Sequence, residues 1–142
     1  MTEWPAIKPP EAILETALYV ADLDEAARFY GDLIGLEEVT RAPGRHLFYG
    51  CGPGMLLLFV AEATEVPGGP LPVPPHGARG EGHVCFRVPP EDLDGWAAHF
   101  EGQNIEIEAD FRWPSGARSI YVRDPDRNSV EVSEPKLWGR PL

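Results

Sequence analysis

Cysteine and basic charge are what this sequence has least of. Only Cys51 and Cys85 occur in 142 residues. Their number and spacing exclude a disulfide framework or a zinc knuckle, and they read as reduced thiols of a cytoplasmic protein. Lys and Arg total 12 against 23 Asp and Glu, for a net charge of −11. A surface this poor in positive charge does not collect phosphates, which excludes nucleic acid as a partner. The same shortage excludes an anionic membrane surface, so the acidity reads as a solubility feature. No apolar run approaches the ~20 residues a membrane span needs. The opening Met1-Thr2-Glu3-Trp4-Pro5 lacks the basic and then apolar segments of a secretory leader. What remains is a globular chain, 43% hydrophobic and 25% charged. Its length suits one domain with a real core.

Proline and glycine, by contrast, are plentiful, at 16 and 15 residues, and they cluster. Pro67, Pro70, Pro72, Pro74 and Pro75 alternate with Gly68, Gly69, Gly77 and Gly80. No regular element survives that density, so residues 62–81 read as a linker or flap, with His76 as a solvated loop residue unless a flap over a site delivers it to a substrate. The linker separates a first module, about 11–61, from a second, about 82–134. In the first, Ile13 to Val20 alternates as a strand. Asp22 can cap a helix whose apolar stripe is Ala26, Ala27, Phe29, Tyr30, Leu33 and Ile34. Gly35 suits a left-handed helix end. Strands are expected at 36–40, 45–50 and 55–60. In the second module His83 to Val88 is a strand, Leu93, Trp96, Ala97 and Phe100 mark a helix, and strands are expected at 105–108, 118–123 and 129–133. Residues 1–10 and 135–142 read as irregular, and His46 and His99 as surface residues.

The two modules overlay. Glu15 to Val20 falls on His83 to Val88, and Met55 to Phe59 on Ser129 to Ser133. Each half is strand, helix, strand, strand, strand, which predicts an α+β fold of two βαβββ modules. Placed edge to edge, the modules make a curved, mixed, eight-stranded sheet with helices on its convex side and a concave cup. Alternation along the strands puts Glu15, Tyr19, His83, Cys85, Arg87, Ser119, Tyr121, Arg123, Ser129, Glu131 and Ser133 on the concave side. Leu18, Val20, Val84, Phe86, Val88, Ile120, Val122, Val130 and Val132 face the other way. Carboxylates and an imidazole converging in a cup are the donors of a divalent-metal site.

The run Leu18 to Tyr30 with Leu33-Ile34-Gly35-Leu36, and Tyr121-x-x-Asp124-Pro125-Asp126-Arg127-Asn128-x-x-Glu131, resemble the opening and closing signatures of the vicinal oxygen chelate superfamily. That group holds glyoxalase I, bleomycin-resistance proteins, fosfomycin-resistance enzymes, methylmalonyl-CoA epimerase and extradiol dioxygenases. The likeness spans about residues 13–134. Glycine usually stands in the family where this chain has Arg127.

The resemblance implies metal ligands from the first and last strands of each module, here Glu15, Leu57, His83 and Glu131. Leu57 cannot bind a metal, which lowers the expectation of glyoxalase I chemistry itself. Three ligands remain, Glu15, His83 and Glu131, for one divalent ion: Mn²⁺, Fe²⁺, Ni²⁺, Zn²⁺ or Mg²⁺. Fosfomycin-resistance enzymes and extradiol dioxygenases usually have His where Glu15 stands. Glu15, if loosely held, would serve instead as a general base. The tyrosine at position 121 corresponds to one that contacts metal-bound substrate in the dioxygenases. The acid/base His they carry shortly before it is missing among Arg112, Trp113 and Pro114. Arg87, Arg123 and Tyr19 are the substrate-binding candidates. The expected function is a metal-dependent enzyme of glyoxalase or dioxygenase type, acting on a small molecule chelated through vicinal oxygens. Fosfomycin-type thiol transfer ranks below it. The alternative is a metal-free protein that sequesters a drug or metabolite. Family members often form homodimers.

Overall fold

A computed structural model describes residues 6–140, so the expectations for residues 1–5 and for the last two residues lie outside the described residues. Strand β1 (Glu15–Tyr19) leads to Asp22, whose carboxylate accepts the backbone N–H groups of Asp24 at 2.8 Å and Glu25 at 3.0 Å. That satisfies donors which the first helical turn leaves free. Helix α1 (Leu23–Ala26) continues unbroken into a π-helical segment, Ala27–Leu33. The wider turn brings the neighbours Phe29 and Tyr30 onto one face, and both are buried. Gly35 then ends the helix with φ +89°, a conformation cheap only without a Cβ.

Strands β2 (Glu37–Ala42), β3 (His46–Cys51) and β4 (Gly54–Phe59) complete a sheet of order β1-β4-β3-β2. A short helix, α2 (Ala61–Thr64), follows. The second module runs β5 (His83–Arg87), α3 (Leu93–Gly102) after a 3₁₀ turn at Pro90–Asp92, β6 (Ala109–Arg112), β7 (Arg118–Arg123) and β8 (Ser129–Ser133). Its order is β5-β8-β7-β6, with the same parallel first pair and antiparallel remainder. The repeat read from the sequence is therefore a repeat of topology. The eight strands are hydrogen-bonded as two four-stranded mixed sheets, with no closed barrel.

Three local expectations shift. The linker begins with α2, whose Ala61 and Thr64 are buried and anchor it to the first module. The sixth strand lies at 109–112, not 105–108. Ile105 and Ile107 pack against the core as part of a connection, so their alternation reports burial and not ladder pairing. The tail contains a 3₁₀ turn, Pro135–Leu137.

One hydrophobic cluster draws on both modules, among them Leu18, Tyr30 and Leu58 from the first and Phe86, Phe100 and Val130 from the second. The turn Asp124–Asn128 clasps the modules together. Asp124, 4% exposed, accepts the N–H groups of Asp126 and Asn128 on Oδ1, and Asn128 Nδ2 and the Tyr30 hydroxyl (2.7 Å) on Oδ2. Asp126 accepts the N–H of Ala21, and Asn128 Nδ2 also donates to the carbonyl of Tyr19. Asn128 Oδ1 takes the N–H of Gly82 at 2.7 Å. A Cβ at Gly82 would lie 2.9 Å from Leu18 Cδ2, so the modules approach closely there and any larger residue would have to displace that side chain.

Candidate functional site

Parallel pairing of β5 with β8 sets Cys85 opposite Glu131 and His83 opposite Ser129. Antiparallel pairing of β7 with β8 sets Tyr121 opposite Glu131 on the other side. Glu131 thus lies between a thiol and a phenol, 4% exposed, and a carboxylate that deep needs partners. Its Oε2 accepts the hydroxyl of fully buried Ser119 at 2.5 Å, and Ser119 Oγ in turn accepts the indole N–H of Trp113 at 2.8 Å.

The other oxygen, Oε1, faces His83 Nε2 at 3.4 Å. His83 Nδ1 lies 3.0 Å from the carbonyl of Ser129, which can only accept. Nδ1 therefore carries a proton, and Nε2 is the ring nitrogen turned to the carboxylate oxygen. An imidazole nitrogen and a carboxylate oxygen turned to one another can share a cation, either a proton or a metal ion. A ring nitrogen fixed through its opposite N–H is the usual support for a histidine ligand. The donor set of His83 and Glu131 therefore fits a divalent metal.

The structure does not bring Glu15 to this pair. Among the described residues, no three His, Cys, Asp or Glu side chains come close enough to share an ion. Glu15 is exposed on β1, its side chain making no hydrogen bond or ion pair among the described residues. Tyr121 does join the pair, its ring 6.3 Å from that of His83 and nearly parallel to it. Burial first, and then the Glu131 charge, push the Tyr121 phenol up to about 12. Desolvation of the sulfur and then Glu131 push the Cys85 thiol up to about 12 as well. Both stay protonated at neutral pH, so the phenol is a proton donor and the thiol is no nucleophile.

The other candidates are scattered. Arg123 is engaged, its Nε and Nη2 donating to Glu108 at 2.5 and 3.0 Å and its Nη1 lying 3.5 Å from Glu81. Arg87 is exposed, with no ion-pair partner among the described residues. Tyr19 lies in the first module, its hydroxyl 2.6 Å from His76 Nδ1.

The two modules share a backbone and differ in chemistry. By strand register Leu57 stands where Glu131 does, Phe48 where Tyr121 does, and Phe59 where Ser133 does. His76 packs against Phe59 with ring centroids 4.6 Å apart, so the linker histidine is a wall residue of this aromatic half and not a solvated one. His46 is likewise half-buried, stacked on Phe48 at 4.1 Å, where burial and then Arg45 lower its pKa. His99 is exposed, 2.8 Å from the carbonyl of Leu33. Sequence reading missed the Trp113–Ser119 support of Glu131. Its one signal was Ser119, a small polar residue at an inward position beside Glu131.

A model of the Glyoxalase/Bleomycin resistance protein/Dioxygenase superfamily matches residues 12–132. The chain is similar to a crystal structure of lactoylglutathione lyase from Agrobacterium tumefaciens, with a TM-score of 0.90 and 49% identity over 94% of this chain and 100% of that one. It also shares its fold with a glyoxalase/bleomycin resistance protein/dioxygenase from Nocardioides, with a TM-score of 0.70 and 21% identity over 92% and 86% of the two chains. A fosfomycin resistance protein from Mesorhizobium loti gives a TM-score of 0.62 and 21% identity over 89% and 93%.

Proposed function

This chain belongs to the glyoxalase/bleomycin resistance protein/dioxygenase superfamily, and on that premise we propose that it is a divalent-metal-dependent enzyme acting on a small oxygenated molecule through vicinal oxygens. The supporting observation is the His83–Glu131 pair: Nε2 and Oε1 stand 3.4 Å apart, each donor fixed from behind by Ser129 and Ser119. His83 and Glu131 would hold the ion, which supplies Lewis-acid stabilisation to a developing enolate or alkoxide. Tyr121 keeps its proton and donates it as a hydrogen bond to a substrate oxygen. The third ligand, Glu15, comes from a second copy of the chain in a homodimer. In support, Glu15 follows Ile13 and Leu14, which are 82% and 73% exposed, and solvent is a costly place for such a pair. Where it is not a ligand, Glu15 would serve instead as a general base. Among the superfamily's reactions the glyoxalase type ranks first, because the 49% identical structure is a lactoylglutathione lyase.

The second reading is a metal-free protein that sequesters a small molecule. The aromatic half formed by Tyr19, Phe48, Phe59 and His76 favours it, since stacking rings bind without a metal. Metal analysis separates the two. Wild-type protein is incubated with Mn²⁺, Fe²⁺, Ni²⁺ or Zn²⁺, desalted and assayed for bound metal beside His83→Ala. The enzyme reading expects retention by wild type and loss in the variant. Wild type that retains none of the four ions refutes it. Lactoylglutathione is the first molecule to assay.

A further inference from the structure

We propose that a cleft at the far end of β5 is a subsite for a carboxylate carried by the substrate, held by Arg87 and Arg140. The cleft has a volume of about 260 Å³ and is continuous with the site, because Cys85 and Ser133 line it and Cys85 is the strand partner of Glu131. Its walls are apolar, formed by Pro135, Leu137 and Trp138. Among the described residues neither guanidinium has an ion-pair partner. The arginines of β2 and β7, by contrast, are taken. Arg118 pairs with Asp94 and Asp110, Arg123 with Glu108 and Glu81, and Arg41 with Asp24 and Glu38. With 23 acids available to 12 bases, two uncommitted arginines sharing one cleft call for an anion from outside. The acid of the cleft, Glu134, forms no ion pair with either guanidinium among the described residues; its Oε2 accepts the backbone N–H of Arg118 at 2.9 Å.

Four residues of strand separate His83 from Arg87, about 13 Å between Cα atoms. The ligand is thus elongated, with oxygens at the His83–Glu131 end, an apolar stretch over Leu137 and Trp138, and a carboxylate at the other end. This assignment rests on the reading of that pair as the reacting end of one cup, but the anion subsite itself requires no metal.

The test uses metal-free, full-length protein and two probes of matched shape, 3-phenylpropionate and its neutral amide, titrated by calorimetry. The carboxylate should bind at least ~10-fold more tightly than the amide, the worth of one charge-assisted hydrogen bond. Arg87→Gln and Arg140→Gln should each remove most of that preference. Arg28→Gln, on the first helix and outside the cleft, should leave it intact. Arg87 makes no side-chain hydrogen bond among the described residues, so its variant is expected to fold, and circular dichroism checks it. Equal binding of acid and amide, no binding of either, or an unchanged preference in Arg87→Gln overturns the subsite. Metal retention measured on Arg87→Gln keeps the two ideas apart. Loss of acid preference with metal retained supports the subsite. Acid preference in a wild type that retains no metal leaves the subsite standing while the metal reading falls.

Discussion

Tyr30→Phe tests whether the clasp at Asp124 holds the two modules together. The substitution keeps the ring, which is fully buried, and deletes one oxygen. That hydroxyl donates to Asp124 Oδ2 at 2.7 Å, a short bond to a carboxylate. Hydrogen bonds to charged groups contribute about 1.5–3 kcal/mol. Asp124 keeps three donors after the change, from Asn128 Nδ2 and from the N–H groups of Asp126 and Asn128, so it is not orphaned. The lower part of the range therefore applies, about 2 kcal/mol. At about 3 °C per kcal/mol for a chain of this size, the melting temperature falls by roughly 6 °C. Tyr49→Phe is the control. Its ring is equally buried, and its hydroxyl makes no hydrogen bond among the described residues. Urea unfolding of both variants beside wild type, with slopes compared, isolates the Asp124 bond. A Tyr30→Phe loss within ~0.5 kcal/mol of the Tyr49→Phe loss would show that the clasp contributes nothing beyond burial.

Three further outcomes follow from particular contacts. Arg127 has φ +70°, a left-handed conformation that costs a side chain roughly 1 kcal/mol, so Arg127→Gly should raise stability by up to ~1 kcal/mol in the same unfolding assay. Asp110 takes Arg118 Nε and Nη2 on its two oxygens, which holds its pKa below the ordinary carboxylate range. A depressed folded-state pKa gives stability that is present above the unfolded value and is lost as pH falls through the folded one. Asp110→Asn should therefore cost about 1 kcal/mol at pH 7, with wild type and variant converging as pH falls below the ordinary carboxylate range; parallel urea curves across pH check this, and a gap that persists in acid refutes it. Ser119→Ala removes the donor to Glu131 Oε2 and should weaken metal binding about 10–100-fold in a chelator competition, with Ser119→Thr partly restoring it.

The fold was legible from the sequence because its causes are local and repeated. Asp22 caps and Gly35 ends the first helix where the pattern places them. The alternation in His83–Val88 and Ser129–Ser133 appears as β5 and β8, and the doubled order of elements appears as two sheets of identical topology. Errors fell where tertiary contact overrides local pattern. Ile105 and Ile107 alternate like a strand yet serve as core flanks, and His76 lies in a Pro/Gly tract yet packs against Phe59.

Sequence alone determined which residues can face the cup, because side-chain direction alternates along a strand whatever surrounds it. It also determined the acidity of the chain and the Asp124–Asn128 turn. Only the tertiary structure decided which of those residues meet. Strand register brought His83 and Tyr121 to Glu131, and buried Ser119 fixed the carboxylate that a solvated glutamate would leave to rotate. The tertiary structure also left Glu15 apart from them within one chain and revealed that Arg123 is paired while Arg87 is not. Whether a first-module residue such as Glu15 reaches that group depends on how two sheets are set against each other, and that setting comes from packing and from the Asp124 clasp, neither of which any single stretch of sequence encodes.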